Sequence, residues 1–183
     1  MNIIHIKEDD MEDKTLSEKP SGLSRDTFLK VYGGIYEHSP WVAEMVYDDK
    51  DVGDIDTVMK LFAAMRMVVD MADHGLKLSL IRAHPELAVS AAAMEKMAPA
   101  SIAEQQGAGL HQCTQEEFEE FKRLNAAYRE KFGFPFIIAV KGLFKADILE
   151  AFRTRLNNDP ETEFENALAQ VHKIALFRLQ ALT

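Results

Sequence analysis

The sequence predicts an all-α fold, a single-domain bundle of about eight or nine helices with one extended connector. Three observations lead to this prediction. Apolar residues recur at helical spacing through most of the 183-residue chain, capping residues and glycines separate the periodic segments, and only the stretch FPFIIAV resembles a strand. Because a single strand has no partner with which to form a sheet, we interpret FPFIIAV as an extended connector that crosses the core.

Length and composition predict one globular domain preceded by a short arm. Apolar residues make up 47% of the chain and charged residues 28%, which is typical of a protein with a packed core. Residues 1–22 are rich in acidic side chains, contain few large apolar groups and end in SEKPSG. We therefore expect a flexible acidic N-terminal arm over 1–22 and a helical domain over 23–183.

Charge and cysteine content argue against several classes of function. The net charge of -9 opposes binding to nucleic acid or to anionic lipid, since both are polyanions. No apolar run is long enough to span a bilayer, and neither end of the sequence carries a recognisable targeting signal. Cys113 is the only cysteine, which fits a reducing compartment. We expect a cytoplasmic protein whose ligand is a small molecule or another protein.

Capping residues and apolar spacing predict the first helices. Ser24 is a suitable N-cap for a helix that extends to Ser39-Pro40, and WVAEMVYD follows as a short helix. A longer helix is expected from an Asp54 cap to Gly75, which would end it. After a break at His84-Pro85, the segments ELAVSAAAMEKM and SIAEQQGAGL are each predicted to be helical.

The second half of the chain contains the clearest helical patterns. In TQEEFEEFKRLNAAYREKFG, Thr114 and Glu117 form a capping box and Gly133 is a C-terminal stop. The apolar stripe of this helix comprises Phe118, Phe121, Leu124, Tyr128 and Phe132. After the connector, KADILEAFRTRL and ETEFENALAQVHKIALFRLQAL are predicted as the last two helices.

Arg178 interrupts the apolar stripe of the last helix. That stripe is formed by Phe164, Leu168, Val171, Ala175 and Leu182. A guanidinium at such a position must meet a carboxylate, a group of carbonyls or an anionic ligand, or else extend to the surface from the edge of the stripe. The periodicity leaves both possibilities open.

The stretch from Leu80 to Gln105 contains the residues best suited to acid–base chemistry. His84 precedes a proline at a break between predicted helices and can reach a ligand there, although hydrogen bonding to nearby backbone is the simpler alternative. Ser101 and Glu104 fit the S-x-x-E capping box, which explains them without a function. Gln105 and the GAG that follows it need another explanation, and close approach of another segment would account for the glycines.

A metal site is not expected. His84, Glu86, His111 and Cys113 are residue types that bind metals, but no HExxH, CxxC or paired HxxE arrangement is present. The sequence also lacks the GxGxxG and phosphate-loop motifs and the G-x-S-x-G motif of serine nucleophiles.

Several segments together resemble the 2-oxo-4-hydroxy-4-carboxy-5-ureidoimidazoline (OHCU) decarboxylases. They are YEHSPWVAE, LIRAHPELA, SIAEQQGAGL, LNAAYREKFGFPFIIAVKG and KIALFRLQAL, in the family's order and spacing from about Ser24 to Leu182. The resemblance implies an all-α homodimer that acts on a small anionic ureide of urate degradation. It would decarboxylate OHCU stereospecifically to S-allantoin without a metal or an organic cofactor.

The resemblance also implies which residues form the site. The catalytic residues would be His84, Glu104 and Arg178, and the substrate-binding residues would be Pro85, Ser101, Gln105, Phe136, Ile137, Ile138, Ala139 and Val140. One departure is that members of the family often have HPDLAG where this chain has HPELAV. The differences, Glu86 and Val89, bear on the pitch of the helix predicted to follow.

These residue types suit a decarboxylation in which the electron pair delocalises into the substrate's own imidazoline system, so that the protein only positions, stabilises and protonates. We expect Arg178, aided by Gln105, to bind the carboxylate, and the main chain of 137–140 to hold the ring. His84 is expected to titrate near neutrality and to exchange a proton with the substrate, while Glu104 orients and charges it.

Two other functions remain open from the sequence. A non-catalytic helical protein-binding module could use YEHSPWVAE and the acidic arm, although it would have little reason to place Arg178 in an apolar stripe. A sibling lyase acting on a related ureide or oxo-acid would share the catalytic residues and differ in its pocket lining. Whether Arg155 also contacts the substrate is likewise open; its position near a helix end is explained by the helix dipole.

Overall fold

The computed structural model describes residues 13–90, 93 and 96–183, and the regular structure of this part of the chain is helical, without strands. Its eight α-helices are α1 (Arg25–Tyr32), α2 (Trp41–Asp48), α3 (Val58–Met71), α4 (His74–Arg82), α5 (Pro99–Gly107), α6 (Gln115–Phe132), α7 (Lys145–Arg155) and α8 (Pro160–Gln180). Short 3-10 turns lie at Pro20–Gly22 and Leu110–Gln112. The all-α prediction is confirmed. None of the described helices is long and apolar enough to cross a membrane.

Local sequence explains several of the observed helix ends. The Ser24 hydroxyl accepts from the backbone N–H of Thr27 at the start of α1. Thr114 and Glu117 form the predicted capping box at the start of α6, and Gly133 ends that helix with a φ of 75°. In each case a side chain or a left-handed glycine satisfies backbone groups that the helix end leaves free.

Two predicted helix boundaries in the first half are wrong. Helix α1 ends at Tyr32 rather than at Ser39-Pro40, and residues 33–40 form an irregular turn. The helix expected from Asp54 to Gly75 is instead two helices, because the Asp73 side chain accepts from the N–H of Leu76 and caps α4. Gly75 therefore lies inside the first turn of α4. A side-chain cap can start a new helix within a continuous apolar pattern.

The helix predicted over ELAVSAAAMEKM is not present in residues 86–90, which are extended or bent. Side chains bind the backbone there in place of helical hydrogen bonds: Gln105 Oε1 accepts from the N–H of Ala88, and Asn125 Nδ2 donates to the carbonyl of Leu87. Ala88 has a φ of 52°. Residues 91, 92, 94 and 95 of the predicted helix lie outside the described residues.

The two departures in HPELAV take part in no regular helix. Glu86 accepts a hydrogen bond from Arg129 Nε on α6 at 2.9 Å, and Val89 is half-buried. The longer glutamate thus fastens the segment after His84-Pro85 to α6.

The prediction that another chain segment approaches the glycines of GAG closely is also wrong. A Cβ atom at Gly107 or Gly109 would meet no other atom of the described residues within 4 Å. Gly109 instead has a φ of 73° and leads into the second 3-10 turn. Backbone conformation explains this glycine, since other residues rarely adopt that region.

Helix α8 packs against α3, α4 and α6, and the connector crosses the interior beside it. Aromatic rings hold the connector in place. The ring of Phe136 stacks on Phe152 with centroids 3.7 Å apart and meets Tyr128 edge-on at 5.2 Å. Residues 135–140 have neither helix nor strand assignment, as predicted for the connector, and most of their side chains are buried.

The described part of the predicted N-terminal arm is packed on the domain. Leu16 is 1% exposed, and its N–H donates to the carbonyl of Asp56 at 3.0 Å. The carboxylate of Asp13 accepts from Thr57 Oγ1 and from the N–H of Met59 at the start of α3. The N–H of Ser17 donates to the carbonyl of Leu182 at 2.9 Å.

Residues 13–22 thus differ from the expected free arm, because Leu16 is an apolar anchor and Asp13 binds backbone donors that α3 leaves unpaired. Residues 1–12 lie outside the described residues.

Candidate active site

Arg178, near the end of α8, is buried and binds carboxylates. Its Nε and Nη2 donate to Oε1 and Oε2 of Glu104 at 2.7 and 3.0 Å, and Nη2 also donates to Ser101 Oγ at 3.1 Å. The side chain is 8% exposed. Burial opposes its charge, but the hydrogen bonds to Glu104 and the negative charges of Glu104 and Glu37 outweigh that effect and raise the pKa of Arg178. Of the possibilities left open by periodicity, pairing with carboxylates is the one observed.

Glu37 is a second carboxylate at this arginine, and the sequence reasoning missed it. Its Oε2 lies 2.8 Å from Arg178 Nη1 and its side chain has no exposed surface. Nη1 also donates to the carbonyls of Gly34 and Ile35 at 3.3 and 3.5 Å. Neither carboxylate oxygen of Glu37 has a well-aligned hydrogen bond to a described residue. The contact is therefore an ion pair that lacks good hydrogen-bond geometry.

The local backbone explains how Glu37 reaches the interior. His38, the next residue, has a φ of 47°, in the left-handed region that histidine adopts more readily than most non-glycine residues. This turn directs Glu37 inward while His38 stays exposed. The segment YEHSP contains Glu37, but helical periodicity gave no reason to distinguish it from any other polar residue of a predicted helix.

His84 is buried and oriented by the backbone rather than by a carboxylate. Its Nδ1 lies 3.0 Å from the carbonyl oxygen of Leu80, so Nδ1 carries the proton and Nε2 is left as an acceptor. Burial is the main cause that lowers the pKa of His84 to about 4, against the opposing effects of the Leu80 hydrogen bond and the Glu37 charge. His84 is thus neutral at pH 7, and the prediction that it titrates near neutrality is wrong.

The expected role of Glu104 toward His84 is also wrong in this structure. The carboxylate of Glu104 binds Arg178, and its described hydrogen bonds do not include His84. The Leu80 carbonyl orients the histidine instead.

Ser101 is not the cap of α5, because the helix begins at Pro99 after an N-cap at Ala98. Ser101 lies within the first turn, is 4% exposed, and accepts from Arg178. The capping-box interpretation of Ser101 is therefore wrong, and its hydroxyl belongs to the arginine's environment.

Gln105 holds the segment that follows His84-Pro85. Its Oε1 accepts from the N–H of Ala88 at 3.1 Å, and its Nε2 donates to the carbonyl of Glu86 at 2.9 Å. Because both ends of the amide bind backbone, Gln105 does not assist Arg178 in this structure. It lines the same cavity as His84 and fixes the shape of that wall.

The connector offers fewer free backbone groups than expected. The carbonyl of Ile137 accepts from Arg155 Nη1 at 2.7 Å, the N–H of Ala139 donates to Gln170 Oε1 at 3.0 Å, and the carbonyl of Val140 accepts from Leu143. The other main-chain groups of 137–140 remain candidates for holding a ring. Arg155 acts on the connector itself.

Two adjoining cavities contain the predicted site residues. The smaller, of about 30 Å³, is lined by His84, Pro85, Leu87, Ser101, Glu104, Gln105, Phe136, Ile137, Ile138, Val140 and Ile174. It has room for about one water molecule. The larger, of about 600 Å³, includes the two predicted residues that the smaller lacks, Ala139 and Arg178. Glu104, Val140 and Ile174 line both, so Glu104 stands in the wall between the cavities.

The larger cavity is of a size typical for small-molecule sites. Lys141 forms part of its lining, and the Lys141 ammonium lies 5.0 Å from the ring centroid of Phe177, which also lines it. Lys173 approaches the same ring at 5.7 Å. Lys141, missed by the sequence reasoning, is a cation in the lining of a cavity in a protein of net charge -9.

The residues considered for a metal do not come together in the part of the chain that the structure describes. No group of three or more His, Cys, Asp or Glu is arranged there to hold a metal ion.

Comparison with known proteins gives consistent matches over nearly the whole chain. Residues 21–180 match the family model described as OHCU decarboxylase. The 2-oxo-4-hydroxy-4-carboxy-5-ureidoimidazoline decarboxylase of Haloferax volcanii is 40% identical over 169 residues, covering 92% of this chain and 96% of that protein. The uric acid degradation bifunctional protein PucL of Bacillus subtilis is 40% identical over 157 residues, which are 86% of this chain and 30% of that protein.

A crystal structure of (S)-allantoin synthase has the same fold, with a TM-score of 0.72 and 37% identity. The match covers 88% of this chain and 52% of that one.

Proposed function

Since the chain belongs to the OHCU decarboxylase family, we propose that it decarboxylates OHCU to S-allantoin in urate degradation. The observation that carries this proposal is the position of Arg178. A buried arginine faces a cavity of small-molecule size, and the carboxylate of Glu104 occupies the edge of the guanidinium that would receive a carboxylate ligand.

Substrate binding follows from charge. OHCU has a carboxylate, and the planar donor fork of Arg178 matches a carboxylate better than a single ammonium would. Lys141 adds positive charge to the same cavity. The apolar lining from Val31, Ile35, Ile174 and Phe177 limits the water around the buried guanidinium of Arg178 and strengthens its attraction to the substrate.

Catalysis requires loss of carbon dioxide and delivery of a proton. The C–C bond to the carboxylate breaks, and its electron pair delocalises into the adjacent imidazoline system of the substrate. Neutral His84, with Nδ1–H held by Leu80, has Nε2 available to accept a proton from the substrate's hydroxyl and to return one to carbon. Glu104, in the wall between His84 and Arg178, supplies a negative charge beside this transfer.

A chiral product fits this arrangement, because His84 approaches from the smaller cavity and thus from one side of the ligand. Pro85, Ser101, Gln105 and residues 136–140 would shape the site around it. We propose that the reaction uses no metal and no organic cofactor, since the substrate's ring itself accepts the electron pair.

The two alternatives are less well supported. A non-catalytic binding module gives no reason for two adjoining cavities that share Glu104, one lined by a buried arginine and the other by a neutral histidine. A lyase for a related ureide would share these groups, so the choice between OHCU and its relatives depends on the lining of the larger cavity.

The direct test generates OHCU from urate with urate oxidase and hydroxyisourate hydrolase and then adds this protein. We expect rapid formation of optically active allantoin, followed by circular dichroism, against slow racemic product in the blank. Absence of acceleration at micromolar protein would refute the proposal.

The same assay on His84→Ala tests the acid–base role of His84. Removing a general acid–base group lowers turnover by about 10²- to 10⁴-fold, while the thermal unfolding curve should keep its midpoint within a few degrees. An equal loss of folding would instead make His84 a structural residue.

We further propose that the protein is a cytoplasmic homodimer. A groove beside α2 and α3 supports dimerisation, since it is lined by apolar side chains including Met45, Met67 and Met71, which are 54%, 62% and 81% exposed. Light scattering after size exclusion should give twice the chain mass, and Met67→Glu should give the monomer mass. A monomeric wild type would contradict the dimer.

A further inference from the structure

Arg178 is held between two carboxylates that differ in burial. The side chain of Glu37 has no exposed surface, whereas that of Glu104 is 30% exposed and lines both site cavities. Glu37 lines neither of these two cavities. Glu37 borders a third cavity, of about 290 Å³, that His84 and Pro85 also line. Because its side chain has no exposed surface, Glu37 is the more confined of the two partners.

The turn that carries Glu37 is fixed to the same helix as Arg178. The hydroxyl of Tyr36, the preceding residue, lies 2.8 Å from Nδ1 of His172 on α8, and His172 Nε2 lies 3.2 Å from Asp70 on α3. Tyr36 and His172 are 2% and 6% exposed. The buried contact between Tyr36 and His172 thus ties the turn that carries Glu37 to the helix that carries Arg178.

The two carboxylates occupy different edges of the guanidinium. Glu104 binds the Nε–Nη2 edge with both oxygens, which is the bidentate arrangement that a ligand carboxylate would adopt. Glu37 meets Nη1. A substrate carboxylate would be a third anion around a single cation, and like charges at such short range repel strongly in a poorly hydrated site.

We propose that Glu37 is a positioning residue that keeps Arg178 in place while the substrate's carboxylate replaces Glu104 on the Nε–Nη2 edge. Glu104 then swings away from the arginine, and the wall between the two cavities opens. The substrate held by Arg178 comes within reach of His84, with the released carboxylate beside it. This inference rests on the proposed function.

The test is Glu37→Gln, which keeps the shape of the side chain and removes its charge. Without the anchor, the guanidinium can follow Glu104 as that carboxylate moves, so the substrate loses its partner. We expect KM for OHCU to rise about tenfold, the effect of losing a well-placed charge contact, while kcat stays within about threefold. An unchanged KM would overturn the proposal.

The double variant Glu37→Gln/Glu104→Gln separates positioning from a structural role. With both carboxylates removed, nothing draws the arginine away and the substrate becomes its only anionic partner. We expect KM to return to within about threefold of the wild-type value, although kcat falls with the loss of Glu104. If KM in the double variant stays raised about tenfold, as in Glu37→Gln, the exchange is refuted.

Two further variants serve as controls. Glu120→Gln makes the same change on α6, where Glu120 pairs with Arg123 and Arg153, and it should leave KM unchanged. Glu37→Asp retains the charge, but its side chain is one methylene shorter, so the carboxylate lies farther from Arg178. This variant should raise KM several-fold. Glu37→Asp provides the test if Glu37→Gln does not fold, and an unchanged KM in it overturns the proposal.

An NMR measurement is independent of activity. The Nε–H signal of Arg178, assigned by its loss in Arg178→Lys, should stay sharp in Glu104→Gln, because Glu37 still holds the side chain. It should broaden in the double variant. A sharp signal in the double variant refutes the anchor. An inactive wild type refutes the proposed function alone.

Discussion

The described residues include two buried arginine–glutamate clusters, and these differ in how completely their hydrogen bonds are satisfied. In the first, Glu163 accepts from Arg155 Nε at 2.9 Å, from Asn158 Nδ2 at 2.7 Å and from the Tyr128 hydroxyl. Burial, and then the hydrogen bond to Glu163, raise the pKa of Tyr128. Arg155 completes the cluster by binding the carbonyl of Ile137 and lying over the ring of Phe136.

The second cluster, around Arg178, is incomplete. The two oxygens of Glu37 lack well-aligned hydrogen bonds to described residues, and Glu104 is partly exposed beside two cavities. The same residue types therefore brace the connector in one place and, under our proposal, form an exchangeable ligand site in the other. What separates the two clusters is access to open space and unused hydrogen-bonding capacity.

The largest effect we expect is on the stability of the brace. Glu163→Ala leaves Arg155 nearly buried without its counter-ion and should lower the free energy of unfolding by about 3–5 kcal/mol. Urea unfolding at pH 7 measures it. Glu104→Ala is the matched change in the second cluster and should lower that free energy by about 1 kcal/mol or less. Equal losses in the two variants would remove the distinction between the clusters.

Acid should destabilise the protein through His84, which lies near the second cluster. The pKa of His84 is about 4 in the folded state and about 6.5 when unfolded, so the unfolded chain binds the extra proton between these values. Stability is then present above pH 6.5 and is lost as pH falls toward 4, by roughly 3 kcal/mol.

Urea unfolding of wild type and His84→Gln at pH 4, 5, 6 and 7 isolates this contribution. The pKa of His172 is also lowered, mainly by burial, but His172 is present in both proteins and cancels in the difference. Parallel stability curves for the two proteins would show that His84 is not the group responsible.

Replacing each arginine by lysine compares the clusters through activity. Arg178→Lys keeps the charge but loses the planar fork, and should lower kcat/KM about 10²-fold, with little change in the unfolding midpoint. Arg155→Lys should lower the midpoint while kcat/KM falls less than about tenfold. The opposite pattern would assign substrate binding to Arg155.

The smallest expected effect concerns the cations near the second cluster. Lys141→Ala should raise KM about threefold at low ionic strength, and the difference should shrink above about 0.5 M salt because exposed charges are screened. Lys122→Ala, an exposed lysine on α6, is the control. A salt-independent change at Lys141 would point to a packing role over Phe177 instead.

Helical periodicity predicted the parts of the fold that depend on neighbouring residues. The capping box of Thr114, the stop at Gly133 and the place of Arg178 on the apolar stripe of α8 all follow from spacings within one helix, although the spacing left open whether the guanidinium is buried. The break between α3 and α4 was missed because the apolar pattern continues through it and only the Asp73 cap interrupts it. Residues 86–90 escaped prediction because distant side chains bind their backbone.

In the candidate site, too, contacts between residues that are distant in the sequence could not be predicted. Family resemblance identified residues that do line two adjoining cavities, but not the contacts among them. The partners of Arg178 lie on the turn after α1 and on α5, far away in sequence. The low pKa of His84 depends on burial, which a single sequence does not give. Glu37, whose importance arises only from folding, was therefore missed.

The hydrogen bond between Ser17 and Leu182 places the two ends of the folded body side by side. A chain joined there by a short linker and reopened at the exposed Asp49–Gly53 turn would be a circular permutant that preserves the helices and both arginine clusters. Adjacent ends also let such a body be fused to, or inserted into, a second enzyme with little strain. This chain matches only 30% of the length of the bifunctional protein PucL, so in that protein a domain of this kind is joined to a longer polypeptide.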